Sequence, residues 1–259
     1  MIVAILQARM TSSRLPGKVL KPILGRPMLD YQVERLRRAR RLDRLVVATS
    51  TDPSDDPIAE DCRHLAVDCF RGSLDDVLDR YYQAAMAFHA TDIMRVTGDC
   101  PLLDPELIDT LVATHLDGGF DYCSTSLEPT YPNGLDAEIM TFAALERAWA
   151  EAELPSDREH VTLYLYKGAK GLKLGSVTQA EDQSDMRWTV DNQEDFDVVR
   201  RIFEALYPVN PAFSTADILT FLARHPEVAR INAMYRRNEG LAKSYAADEA
   251  YLAAKKAAS

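Results

Sequence analysis

The sequence predicts an α/β fold: a doubly wound, mainly parallel sheet with helices on both faces. Three observations predict it. Short apolar runs alternate with amphipathic stretches through the first 125 residues, as strands alternate with crossover helices. Polar turns close the strongest runs, at 7–18, 49–53 and 98–101. At 259 residues and 47% hydrophobic side chains, the chain is long enough to bury one large core.

In chain order, residues 2–6 read as a buried strand and 27–41 as a helix with Pro27 in its first turn. Residues 45–48 form a second strand. Residues 58–65 are helical, 67–70 a short strand and 74–90 a long helix. Residues 93–97 are a strand stopped by Gly98-Asp99-Cys100-Pro101, then come a helix at 105–116 and a strand at 122–125. The rhythm then changes. Strands are expected at 134–141, 172–178 and 188–191, and helices at 143–153, 157–167, 194–206, 215–223 and 231–254. No linker or repeat divides the chain. It reads as one domain over 1–259, with an inserted region near 126–180 and a helical tail at 207–259.

The chain carries 30 Lys+Arg against 40 Asp+Glu, a formal charge of −10, which speaks against nucleic acid as a partner. Residues 1–44 nevertheless hold 11 basic and 3 acidic side chains, which suggests a local anionic ligand or a solvated basic face. The run Arg35, Arg37, Arg38, Arg40, Arg41 and Arg44 has no apolar insertion face beside it. A solvated helix face or a subunit contact is therefore expected rather than a membrane. The apolar start is too short for a signal peptide, and no run approaches the ~18 residues of a membrane span. Four cysteines without Cys-x-x-Cys spacing are expected as free thiols in the cytoplasm.

The first turn holds Arg9, Arg14 and Lys18 among small polar residues, a spacing of cations suited to a polyphosphate. With one glycine it is neither a P-loop nor a dinucleotide fingerprint, and a solvated basic loop is about as good a reading. Asp99, after a strand and Gly98, stands where a carboxylate can hold a hard cation together with substrate phosphates. Asp191 stands at a second strand end. Each aspartate alone also reads as a turn or cap residue. Together with the basic loop they point to a nucleotide site at the carboxyl edge of the sheet.

Ala8-Arg9 with Ser13-Arg14-Leu15-Pro16-Gly17-Lys18-Val19-Leu20 resembles the N-terminal signature of the N-acylneuraminate and 3-deoxy-manno-octulosonate cytidylyltransferases. Gly98-Asp99-Cys100-Pro101 and Val190-Asp191 are similar to the two metal-binding stretches of that family. Arg71-Gly72-Ser73, Asp76 to Arg80, Tyr131 to Asp136 and Arg158 to Thr162 are similar to its spore-coat polysaccharide branch. The resemblance covers about residues 2–200. It implies a nucleotide-diphospho-sugar transferase-like fold, CTP as a partner, Mg²⁺ as cofactor and a homodimer. By the same resemblance Arg9 and Lys18 hold the triphosphate with Arg14 nearby, and Leu6, Gln7 and Ala8 pass the base. Thr49 and Asp52, with Arg71, Gly72, Asp76, Thr97 and Gly98, lie by the nucleotide, and Asp99 and Asp191 hold the metal. Catalysis is assigned to Arg9, Lys18, Asp99 and Asp191.

Tyr131, Asn133, Asp136, Glu138, Arg158, Glu159 and His160 are the expected site of an anionic sugar acceptor. Arg158 or His160 would take a carboxylate, and Asp136 or Glu138 hydroxyls. A Pro-Asn-Gly turn and a charged helix start are the plainer readings of the same residues. Thr97 and Cys100 replace the Gln and Glu of the octulosonate enzymes' Gln-Gly-Asp-Glu-Pro, which leaves the acceptor open. The expected function is CMP transfer from CTP to an acidic sugar with release of pyrophosphate, for surface polysaccharide biosynthesis. Two alternatives stand beside it. A glycosyltransferase using a nucleotide sugar is disfavoured because the Asp-x-Asp at Asp195-Phe196-Asp197 falls in a helix start. A non-catalytic nucleotide-sugar-binding protein would not need both carboxylates and all three loop cations.

Overall fold

The computed structural model describes residues 1–237 and 239–257. Strand β1 (Ile2–Gln7) sends Ala4 and Leu6 into one core and Val3 and Ile5 into the other, all fully buried. This is the alternation of a strand covered on both faces. A small hairpin, β2 (Pro22–Ile23) and β3 (Arg26–Pro27), precedes α1 (Met28–Leu36) and β4 (Arg44–Ser50). Then come α2 (Asp56–His64), β5 (Asp68–Gly72), α3 (Val77–Ala87), β6 (Asp92–Thr97), α4 (Pro105–Gly118) and β7 (Tyr122–Ser124). The second half holds β8 (Glu138–Thr141), α5 (Phe142–Glu151), α6 (Pro155–His160), α7 (Leu163–Lys167) and β9 (Leu174–Ser176). Helices α8 (Gln193–Leu206), α9 (Thr215–Arg224), α10 (Pro226–Ala229) and α11 (Glu239–Ala257) complete it.

The main sheet runs β5-β4-β1-β6-β8-β7-β9. Strands β5, β4, β1 and β6 are mutually parallel, β8 is antiparallel to both its neighbours, and β9 is parallel to β7. Gln7 is in register with Ala48 and Thr97, so β4, β1 and β6 deliver their carboxyl ends to one edge. Of the expected inserted region 126–180, β8 and β9 are members of this sheet.

Several expected elements differ. Residues 188–191 form no strand. Trp188 and Thr189 donate to Asn133 O, at 2.6 and 3.0 Å, and the next amide, of Val190, turns to Asp99 O at 2.8 Å. Two successive amides share one carbonyl and the third turns to another segment, so no ladder forms. The helix expected at 157–167 breaks at Val161, a buried β-branched residue at φ 65°, where backbone strain is expected. The helix expected at 231–254 starts at Glu239, and residue 238 of that span and residues 258–259 of the tail lie outside the described residues.

The basic run is only partly a solvated face. Arg40 and Arg41 are exposed, but Arg35 is buried and donates to the carbonyls of Leu103 and Phe213, both at 3.0 Å, and of Leu102 at 3.3 Å. Burial lowers its pKa to about 10. Arg37 and Arg38 bind the carbonyls of Leu65, Ala66 and Pro211. These guanidiniums stitch loops to α1, work that periodicity does not reveal.

One acidic contact makes stability depend on pH. Burial and the neighbouring Asp30 push the Asp61 carboxyl up to about 6, and Asp61 Oδ2 and Asp30 Oδ1 are buried without partners. A folded pKa above the unfolded value, about 3.9, means that this group's contribution is intact below about pH 4 and is lost as pH rises through 6. Because Asp61 is half-buried and its charge partly screened, Asp61→Asn is expected to stabilise the protein by only about 1 kcal/mol at pH 7.5 and by nothing at pH 4. Urea titrations at the two pH values check it, and an equal effect at both refutes the assignment.

Candidate active site

The turn after β1 is closed by Gly17, at φ 70°, whose amide donates to Met10 O at 2.8 Å. Buried Asp55 anchors it from the short turn after β4: Oδ1 accepts from Met10 N at 2.7 Å, while Oδ2 accepts from the Ser50 amide at 3.1 Å and hydroxyl at 2.5 Å. The turn after β6 lies directly beneath. Gly98 N donates to Gln7 O at 2.7 Å, and a side chain at Gly98 would meet that carbonyl at 3.0 Å. Buried Gln32, from α1, holds this turn by donating to Thr97 O and Cys100 O at 2.7 and 3.1 Å.

Lys18 joins the two expected carboxylates. Its Nζ, on a side chain 11% exposed, donates to Val190 O at 2.6 Å and Asp191 Oδ1 at 3.1 Å, and lies 3.6 Å from Asp99 Oδ2. Asp99 and Asp191 therefore converge on one cation-sized point despite their separation in sequence. Burial opposes ionisation of Asp99, but Lys18 and the Thr97 hydroxyl, donating at 2.5 Å, outweigh it and hold its pKa below the usual carboxylate range. Asp191 also pairs with Arg14 at 2.9 Å and Arg187 at 3.0 Å.

A second layer orients Asp191. Asp195, fully buried, accepts from Arg187 at 2.8 and 3.0 Å, from Asn232 at 2.8 Å, and from the amides of Asp191 and Asn192 at the start of α8. These bonds hold Asp195 below the usual range against the cost of burying it. Asn133 carries the same segment through its carbonyl. The adjoining Gly134 sits at φ 112°, where a Cβ would meet Thr189 N at 2.4 Å. Only glycine fits, and Gly134→Ala is expected to cost about 3 kcal/mol or more. A wild-type melting curve for that variant would remove the constraint.

The turns after β1 and β6 and Asp191 line one cleft of about 720 Å³, within the range of roughly 300–1,000 Å³ typical of small-molecule sites. Of the expected site residues, Gln7, Ala8, Arg9, Arg14, Lys18, Thr97, Gly98, Asp99, Glu159, His160 and Asp191 face it. Leu6 is core, and Thr49 is buried with its hydroxyl unpartnered. Asp52 caps a short turn through Ser54, and Arg71 clamps Ser50 O and Asp52 O beside Gly72, at the carboxyl edge of β5. Asp76 caps α3 and takes Arg158 in a forked pair, so that this guanidinium is already engaged. Tyr131 O accepts from Arg237 at 3.4 Å, and Arg237 also pairs with Asp136, whose carboxyl burial raises. Glu138 accepts from Tyr122, Thr162 and Arg95.

Sequence reasoning missed several groups. Arg95 lines the cleft two residues before Thr97, paired across strands with Glu138. Arg80 is fully buried with Nε and Nη2 unpartnered, and burial and then nearby Arg9 lower its pKa. Arg187, four residues before Asp191, lies outside any helix, so this spacing gave no helical pairing signal. For Arg80 and Arg95 no local pattern exists. Among the described residues no three potential metal ligands cluster. Two carboxylates suffice for a cation that completes its shell with water and phosphate oxygens.

A family model described as cytidylyltransferase matches residues 3–219. The chain belongs to the cytidylyltransferase family. It is 34% identical over 240 residues to the spore coat polysaccharide biosynthesis protein SpsF of Bacillus subtilis, covering 88% of this chain and 96% of that one. A solved cytidylyltransferase from Leptospira borgpetersenii is 30% identical and superposes with a TM-score of 0.85, over 91% of this chain and 99% of the other. The 3-deoxy-manno-octulosonate cytidylyltransferase of Zea mays is 37% identical over 139 residues, 49% of this chain and 44% of that one. The chain is thus a nucleotidyltransferase on the sheet described above. No helix among the described residues is long and apolar enough to cross a membrane. The four cysteines are free.

Proposed function

We propose that this cytidylyltransferase transfers CMP from CTP to a hydroxyl of an acidic sugar and releases pyrophosphate, acting in the cytoplasm in surface polysaccharide biosynthesis. The carrying observation is the meeting of Lys18, Asp99 and Asp191 beside the Arg9–Arg14 turn in one cleft. The acceptor oxygen bonds to the α-phosphorus, its proton passes to water, and the bond to the β-phosphate oxygen breaks with its electron pair leaving on pyrophosphate. Charge grows on the phosphate oxygens, so positioning and fixed positive charge do most of the work. Arg9 and Arg80 supply positive charge that no ion pair among the described residues neutralises. Thr97 and Gln32 fix Asp99, and Arg187 and Asp195 fix Asp191.

Asp99 and Asp191 are the residues to hold Mg²⁺, since an all-oxygen pair suits a hard cation. When bound, the ion neutralises phosphate charge. Pyrophosphate release is to be measured with CTP, UTP, ATP and GTP against 3-deoxy-manno-octulosonate, N-acetylneuraminate and simpler sugar acids. Turnover with CTP and a sugar acid is expected. Transfer from a nucleotide sugar would instead favour a glycosyltransferase. CTP binding without any turnover overturns the acceptor class.

A further inference from the structure

Helix α11 lies beyond the residues that match the family, 3–219, yet it forms one wall of the cleft, where Ser244 and Ala247 stand with Glu159, His160 and Arg95. It packs on α6 and is held by polar contacts. Buried Asp248 accepts from the Ser156 amide at 2.9 Å and hydroxyl at 2.6 Å, and Lys167 donates to the Tyr245 hydroxyl. Just before it, Arg237 pairs with Asp136.

Ser244 is 6% exposed and has one proton to give. It gives that proton to Glu159 Oε2 at 2.8 Å, so in its 2.8 Å contact with His160 the ring Nε2 is the donor. Burial lowers the pKa of His160. Glu159, Glu138 and Asp248 act against that shift and Arg95 acts with it, and the ring is neutral near pH 7. A neutral ring protonated at Nε2 keeps a bare lone pair on Nδ1. That nitrogen accepts a hydrogen bond from a hydroxyl and does not bind a carboxylate. The cation of this wall is Arg95, whose Nη1 bonds to Glu138 and whose Nε has no partner.

Resting on the CMP-transfer reading, we propose that Ser244 is a positioning residue for the acceptor. It fixes the His160 tautomer that accepts from an acceptor hydroxyl, with α11 closing that side of the cleft. Arg95 then faces the acceptor's anionic group. The acceptor is a hydroxylated sugar acid read partly by a segment outside the family match.

The test is steady-state kinetics of the full-length enzyme with CTP and the sugar acid that it turns over best. Ser244→Ala is expected to raise the acceptor KM about 10-fold, the upper end of what one neutral hydrogen bond contributes, while the CTP KM stays within about twofold. Ser244→Thr keeps the hydroxyl and is expected to stay within about threefold of wild type. A chain ending at Arg237 is expected to show the same split, enlarged. If that chain fails to fold by circular dichroism, the Ser244 pair decides alone. Equal losses for CTP and acceptor, no rescue by threonine, or an unchanged or lowered acceptor KM overturns the proposal. If wild type binds CTP but turns over no sugar acid, the CMP-transfer reading fails first and this one falls with it.

Discussion

Asp99→Asn and Asp191→Asn are each expected to lower turnover with CTP by about 10³-fold or more, the scale on which a single preorganised charge group at a reacting centre acts. Their stability effects should differ, and the difference follows from the contacts. Among the described residues Asp99 has one cationic neighbour, Lys18, and its carboxylate is supported by the Thr97 hydroxyl. Its neutralisation should cost about 1 kcal/mol. Asp191 balances Arg14, Lys18 and Arg187, the last two nearly buried. Removing its charge takes a shared carboxylate from all three, and a cost nearer 3 kcal/mol is expected, as for breaking a buried pair. Thermal melts beside pyrophosphate-release rates check both parts. Raising Mg²⁺ should stabilise CTP-loaded wild type and neither variant. Full activity in either variant takes that residue out of the site.

The parallel half of the sheet was legible because each strand is a short apolar run followed by a polar turn, a signal local to a few residues. Its carboxyl edge was legible for the same reason, and Lys18, Asp99 and Asp191 do meet there. The segment carrying Asp191 looked like a strand because Trp188 and Val190 are apolar and buried. Its partners, the carbonyls of Asn133 and Asp99, lie far off in sequence and are single contacts, which leave no periodic trace. The same holds for Arg35 and Arg80. A buried arginine looks identical in sequence to a solvated one, and only the carbonyls that converge on it tell them apart. The helix break at Val161 contradicts local propensity outright. Tertiary packing imposes it, with Val161 buried next to the cleft residue His160.

Lys18→Ala and Arg9→Ala should separate a solvated loop from a triphosphate clamp. Exposed charges usually matter by less than about 0.5 kcal/mol, so a solvated loop makes both substitutions nearly silent. Lys18, however, is almost buried, with all its contacts on Val190, Asp191 and Asp99. Its loss leaves Asp99 with no cationic partner among the described residues, so Lys18→Ala should weaken the folded state as well as CTP binding. Arg9 has the opposite situation. No ion pair among the described residues holds it, and its charge lies by the buried Arg80. Removing it relieves repulsion, so Arg9→Ala should leave stability unchanged or slightly raised. Losing one partner of a charged pair in a partly dry cleft costs about 2–5 kcal/mol, roughly 30-fold to several-thousand-fold in affinity. Isothermal titration with CTP and CMP, each with Mg²⁺, locates the contact. A clamp on the outer phosphates predicts that both variants lose CTP affinity far more than CMP affinity. Equal losses for the two nucleotides move the cation to the base or ribose, and no loss for either returns it to solvent. The melting temperatures then complete the distinction: a fall for Lys18→Ala without one for Arg9→Ala is what the burial of one cation and the isolation of the other require.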